Sequence, residues 1–337
     1  MALSELWFLL IGVLFVGFMF LEGFDFGVGM ATKFLAKDDL ETRMLNQIIG
    51  PVWAANEVWL ITAGGAMFAA FPHWYATLFS GFYLPFILLL AVLMARGVAF
   101  EFRDKVESQR WKATWDWSVF AGSIVPPFLL GVMFSSLIKG LPIDAEMNMY
   151  AGFTDIVNPY TVTGGIIFVA LSYLHGLTFI SLKVEGDLRH RALKEAKRWY
   201  FITGALFILF TVLTVVYTDI FTEKGMILIP VYVVAVALYG ALFFLLKGRK
   251  EGFSFTVTGL ILILVTSSFF IGLFPHVMIS SLGDAYNMTV YAAASGAYSL
   301  KLMTIVALTM LPIVLGYTFW TYYVFRKRIS KKEPLEY

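Results

Sequence analysis

Nine long apolar runs constrain this chain more than any other feature, because each can cross a membrane and the basic residues between them alternate from side to side. A spanning helix needs roughly 20 predominantly apolar residues to cross about 30 Å of hydrocarbon. Stretches near residues 5–32, 49–71, 76–101, 117–138, 160–182, 199–218, 226–247, 254–276 and 300–325 meet that requirement. Lys33, Lys37 and Arg43 follow the first run, and Arg103, Lys105, Arg110 and Lys112 follow the third. Lys183, Arg189, Arg191, Lys194, Lys197 and Arg198 follow the fifth, and Lys247, Arg249 and Lys250 the seventh. Arg326, Lys327, Arg328, Lys331 and Lys332 follow the ninth, whereas the other connections hold only Lys139, Lys224 and Lys301. Lys and Arg collect in cytoplasmic loops, so the pattern predicts an all-α membrane protein with nine transmembrane helices, its N-terminus outside and its C-terminus cytoplasmic.

Composition agrees with that class, since 59% hydrophobic and 14% charged residues leave too little polar surface to cover a soluble globule of this length. A formal charge of +2 gives no reason to expect a nucleic-acid partner, and the basic loops are expected against anionic headgroups of the bilayer. The first run lacks a short apolar core followed by a small-residue cleavage site, so it reads as a retained helix. With no cysteine, the chain is closed to disulfides, thiolate-bound iron–sulfur clusters and covalent c-type haem.

No Pro/Gly/Ser linker divides the sequence, so residues 1–337 read as one polytopic domain. Two similar segments suggest internal halves: Val132-Met133-Phe134-Ser135-Ser136-Leu137 and Val277-Met278-Ile279-Ser280-Ser281-Leu282, each after a proline. A repeat of four helices would give bundles over residues 1–138 and 160–276 and leave 300–325 as a ninth helix, with coincidence among apolar residues as the alternative. Gly23, Gly27, Gly29, Gly64 and Gly65 mark places where helices can approach closely. Trp7 and Trp74 at the outer boundary, with Trp111, Trp115, Trp117 and Trp199 at the inner one, fit an interfacial belt.

Ionisable residues inside a span are costly and point to function. At 1.5 Å per residue, Asp25, Glu57, Arg96 and His175 each lie roughly 12 Å from the cytoplasmic boundary of their runs. Glu22 is one turn deeper than Asp25 on the same helical face. Five polar groups from four helices are thus expected in one layer. It serves either as a proton-uptake relay through Asp25, Glu57, Glu22 and Arg96, or as a structural cluster in which Arg96 pairs with an acid or snorkels to the interface and His175 bonds to a carbonyl. No metal-ligand or nucleophile pattern is present, so no catalytic residue is assigned to this chain. His73, His190 and His276 fall near the surfaces, leaving His175 as the one well-buried histidine, a poor endowment for a six-coordinate haem. A proton-coupled secondary transporter would share the buried carboxylates, although broken helices at mid-membrane would then be expected.

The second and third runs are specific enough to name a family. Gly50-Pro51-Val52-Trp53-Ala54-Ala55-Asn56-Glu57-Val58-Trp59-Leu60-Ile61, with Ala63-Gly64-Gly65 and Phe68-Ala69-Ala70-Phe71-Pro72, closely resembles the signature of subunit II of the cytochrome bd-type quinol oxidases, in its Bacillus-like version. Gly23-Phe24-Asp25-Phe26-Gly27-Val28-Gly29, Arg96-Gly97 with Phe100-Glu101-Phe102-Arg103, Trp115-Asp116-Trp117 and the tail from Tyr322 to Arg328 extend the match over the whole chain. The resemblance implies two four-helix bundles plus one helix, paired with a haem-bearing subunit I and often a small single-helix subunit. It implies a bacterial plasma-membrane complex that oxidises quinol and reduces O2 to water with cytoplasmic protons, carrying two haems b and one haem d on subunit I. A structural quinone in subunit II is implied for some members. The family places an aspartate directly after the motif tryptophan, where this chain has Ala54. Uptake then runs either through Glu57 with Asp25 or through the partner, and a purely structural role for the chain also fits.

Overall fold

In a membrane interior every backbone N–H and C=O must be satisfied within the segment, and the apolar runs accordingly fold as helices. A computed structural model describes residues 2–330; Lys331 and Lys332 of the expected basic tail lie outside them. In chain order the helices are α1 (Leu3–Phe34), α2 (Asp39–Ile49), α3 (Trp53–Ala70), α4 (Pro72–Gly81), α5 (Tyr83–Phe102), α6 (Gln109–Lys139), α7 (Phe153–Ile156), α8 (Pro159–Lys183), α9 (Gly186–Tyr217), α10 (Ile220–Lys247), α11 (Glu251–Leu273) and α12 (Ala297–Val324). A two-stranded hairpin, β1 (His276–Met278) with β2 (Met288–Thr289), sits in the last long loop.

Eight of these helices are long and apolar enough to span a membrane: α1, α5, α6 and α8 to α12. The second expected run folds as α3, which has 18 residues but carries Asn56 and Glu57, and these polar residues depress its hydropathy. The third run is not one helix. It breaks at Phe82 between α4 and α5, where Pro85 cannot supply the N–H that would bond the Gly81 carbonyl, and Phe86 instead continues the ladder from Phe82 O at 2.9 Å.

Helix α1 lies at the centre, packed against α3, α6, α8 and α11, and its residues from Glu22 to Thr32 are all buried. Outside it, α5 packs on α6, α8 on α9, and α10 on both α9 and α11. Lipid tails are as apolar as the helix surfaces, so such association depends on close packing and hydrogen bonds rather than on exclusion of water. Gly27 and Gly176 supply the closest crossing: a Cβ at Gly27 would stand 2.6 Å from the Gly176 Cα, backbone against backbone. Gly29 likewise faces Ser123 of α6, but Gly64 and Gly65 do not serve helix contact as expected. Nothing lies within 4 Å of a Cβ at Gly65, and only Phe79 Cζ, at 3.9 Å, is near Gly64.

The two ends are closed differently. At the basic end Arg103 is buried among carboxylates, bonded to Asp116 at 2.6 Å, Asp39 at 2.7 Å and Asp104 at 2.8 Å. Glu251 there receives Arg189 at 2.6 Å and Arg328 at 2.7 Å, which fastens the segment after α12 to α9 and α11. At the opposite end Leu141 N donates to Ile279 O at 3.0 Å and Ser281 N to Leu141 O at 2.9 Å, joining the loops after α6 and α11. The similar hexapeptides are not structural counterparts, since Val132 to Leu137 are helical within α6 and Val277 to Leu282 form β1 and the loop beyond it. Two tryptophans also depart from the belt. Trp74 is buried against Phe8 and Phe71, and Trp7 is buried with its Nε1 donating to Leu300 O at 3.2 Å and Thr304 Oγ1 at 3.0 Å.

If the α1–α8 crossing sets the fold, Gly27→Val will abolish the monodisperse complex in detergent size-exclusion chromatography, because overpacking against backbone cannot be relieved by a rotamer change. Gly240→Val, at a site with nothing within 4 Å of its Cβ, will elute as the parent does.

Candidate functional site

The buried charges are placed by three helices. Glu22 and Asp25 are one turn apart on α1, Asn56 and Glu57 are consecutive on α3, and Arg96 is on α5. Successive helical residues diverge by about 100°, so Asn56 turns toward α1 while Glu57 turns toward α5. Arg96 Nη1 donates to Glu22 Oε1 and, at 3.0 Å, to Glu57 Oε1, so one guanidinium joins all three helices. Its Cζ lies 5.1 Å from the Phe26 ring centroid and 5.5 Å from that of Phe100, a placement that favours a cation. Gly122 of α6 makes room for this side chain, since a Cβ there would meet Arg96 Cβ at 2.5 Å. Arg96 Nε and Nη2 have no partner among the described residues.

Asp25 does not touch Arg96 by hydrogen bond. It accepts from Asn56 Nδ2 at 2.7 Å, and Asn56 Oδ1 in turn accepts from the Tyr322 hydroxyl at 2.8 Å. The layer thus extends from α5 through α1 and α3 to α12. Glu22, Asp25, Asn56 and Arg96 are fully buried, Tyr322 is half-buried, and Glu57 is the carboxyl group in contact with a surface, its side chain 16% exposed. That surface is an apolar cleft of about 890 Å³ between α3 and α5, closed behind by α1, α4 and α6. Glu57, Trp53 and Glu101 lie along it, as do Gly64 and Gly65. Trp53 packs on Phe100 with centroids 5.4 Å apart and on Gly97, and Trp59 packs on Gly17 of α1.

Three carboxyl groups lie in this layer with one guanidinium, which bonds two of them, Glu22 and Glu57. Removing a lone charge's partner inside a membrane is costly, so Arg96 can balance only part of the set. The other carboxyl groups have a proton inventory that can change without a second cation moving. This is the chemistry that the arrangement permits.

Of the five polar groups expected together, four converge. His175 does not, although it lies at similar depth: its Nδ1 is 2.7 Å from Thr258 Oγ1, on the far side of α1, and its ring stacks on Phe255 at 4.6 Å. Phe20 and Phe24 complete its surroundings. Ala54, where the family has its aspartate, is exposed, as is Val58 one turn on. Sequence reasoning gave no role to Tyr322, to Asn56 as the hub of the layer, or to the carboxylate cage of Arg103. A tyrosine near the end of an apolar run was the available signal, because a buried phenol needs a partner.

A family model described as cytochrome bd terminal oxidase subunit II matches residues 3–325. Among similar proteins, cytochrome bd ubiquinol oxidase subunit 2 of Bacillus subtilis strain 168 is 52% identical over 336 residues, covering 100% of this chain and 99% of that protein. Cytochrome bd-I ubiquinol oxidase subunit 2 of Escherichia coli K12 is 36% identical over 98% of this chain and 96% of its own length. A chain in the solved structure of the bd oxidase from Geobacillus thermodenitrificans superposes with a TM-score of 0.80 at 14% identity, covering 96% of this chain and 99% of that one, and so shares its fold. With apolar helices in a multi-pass arrangement and a family match over nearly its full length, the chain belongs to the subunit II family of cytochrome bd terminal oxidases, respiratory quinol oxidoreductases of the bacterial plasma membrane.

Proposed function

We propose that this chain is the haem-free subunit II of a quinol-oxidising, O2-reducing complex, and that its buried layer takes up cytoplasmic protons through Glu57, Glu22 and Asp25. The observation that carries this reading is the pairing of a single Arg96 with more than one carboxyl group, open to a surface only at Glu57. Glu57, three residues on in α3, stands in for the family aspartate missing at Ala54. The partner is a haem-bearing subunit I carrying two haems b and one haem d, with a small single-helix subunit beside it. Haem supplies electron transfer and O2 reduction in such a complex. This chain's residues do not fit such a group: His175 is bonded through Nδ1 to Thr258 and enclosed by Phe20, Phe24 and Phe255, which leaves no face for a macrocycle.

The reading includes nine spans, with α3 counted as the second and α4 with α5 as the third. It also takes α1, α3, α4 with α5, and α6 as one group of four spans, α8, α9, α10 and α11 as the other, and α12 as the ninth span. The basic end is cytoplasmic and the N-terminus outside. A structural quinone, implied for some family members, matches the apolar cleft between α3 and α5 in chemistry and size.

Two experiments test this function. In the purified complex, Asp25→Asn and Glu57→Gln keep size and hydrogen bonding but cannot cycle a proton, so each is expected to slow O2 reduction by about tenfold or more with normal haem content. Full turnover in both variants assigns uptake to the partner. Orientation is tested by cysteines placed singly at Ser281 and Ser330 of the cysteine-free chain. An impermeant maleimide applied to intact cells is expected to label position 281 and not 330, and the reverse pattern overturns the topology.

A further inference from the structure

The helix α12 is held by few contacts, and one of them enters the buried layer. Of its residues only Leu300 and Thr321 are buried. Trp7 anchors it at the end away from the basic residues, through Leu300 O and Thr304 Oγ1. Near the basic end, where Lys183 Nζ also donates to Phe325 O just past the helix, the Tyr322 hydroxyl donates to Asn56 Oδ1 at 2.8 Å. The same amide sends Nδ2 to Asp25 Oδ2 at 2.7 Å and toward Leu21 O at 3.4 Å.

The orientation of that amide follows from its neighbours. Leu21 O is an acceptor only, and turning the amide over would set oxygen against it and against the Asp25 carboxyl. Nδ2 therefore faces α1, and Oδ1 is left facing α12, where Tyr322 is the donor. Without that hydroxyl the Asn56 oxygen would be buried without a partner, and the amide would lose what holds it flat against Asp25. Asn56 is fully buried, so no bulk solvent replaces the phenol.

We propose that Tyr322 is a positioning residue for the carboxyl layer: through Asn56 it fixes the hydrogen bond to Asp25 and makes the seating of α12 part of the site. The proposal rests on the reading that Asp25 carries protons, but its physical core is a coupling between two residues that do not touch. Tyr322 itself transfers nothing. A shift of α12 would be transmitted to Asp25 as a change in the Asn56 amide, and only there.

The test is a double-mutant cycle in the purified, haem-loaded oxidase, with Tyr322→Phe, Asp25→Asn and the pair. Turnover is measured across pH, and the melting temperature of each complex is recorded. Tyr322→Phe is expected to slow turnover about fivefold, the factor set by one ordinary hydrogen bond, and to move the pH of half-maximal turnover. In the Asp25→Asn background it is expected to do neither, and the two melting shifts are expected to sum to more than the double variant shows. Equal effects of Tyr322→Phe in both backgrounds, or additive melting shifts, overturn the proposal. Full turnover of Asp25→Asn with non-additive melting shifts leaves the coupling standing and defeats the proton reading instead. If Tyr322→Phe does not assemble, the yield of haem-loaded complex takes the place of turnover in the same cycle: a loss no greater in the pair than in Asp25→Asn alone supports the coupling, and an additive loss overturns it.

Discussion

The Arg96 guanidinium joins α1, α3 and α5 at a depth where an isolated charge would be expelled, and much of the site depends on that junction. Its bonds to Glu22 and Glu57 set the facing of α1 and α3, and its stem needs the gap left by Gly122 on α6. Phe26 and Phe100 both lie against the same cation. A buried ion pair of this kind is weak evidence of stability by itself, because desolvation offsets much of the attraction. What it supplies is register: the bonds can form only with these helices at this depth and rotation. Asp25, outside that pairing, is held instead by Asn56 at 2.7 Å.

Around that junction the molecule is unevenly finished. Helix α1 is enclosed on every side between Glu22 and Thr32, and backbone meets backbone at Gly27 and Gly176. The faces of α3, α5 and α12 are in contrast left bare, with Ile61, Phe68, Leu84, Met94, Leu308 and Phe319 exposed. In a membrane such faces are stable against lipid, so their apolarity alone does not mark a partner. The presence of Glu57 beside the α3–α5 cleft is different, since a carboxylate at that depth facing lipid would be costly. Arg96, bonded to Glu57 at 3.0 Å, offsets part of that cost.

The alternation of Lys and Arg and the length of the apolar runs made the helices legible from sequence, because both report directly on transfer between water and hydrocarbon. The break at Phe82 was less legible, although Pro85 carried the signal. Depth counting brought Glu22, Asp25, Glu57 and Arg96 to one layer correctly, yet it placed His175 with them, because depth says nothing about which side of a helix a residue faces. Tyr322 and Asn56 meet across 266 positions of sequence, and no local pattern encodes such a pair. The two similar hexapeptides differ in conformation, helix in α6 and strand with loop after α11, which a likeness of residue types does not reveal.

Charge balance at Arg96 is the most direct point at which this account can fail. The measurement is the yield of haem-loaded complex for Arg96→Met alone and for Arg96→Met combined with Glu22→Gln and Glu57→Gln. Removing one partner of a buried pair is strongly destabilising, whereas replacing the whole set by neutral groups can be close to neutral. The account predicts loss of the complex in the single variant and substantial recovery in the triple one; normal assembly of Arg96→Met alone would contradict it.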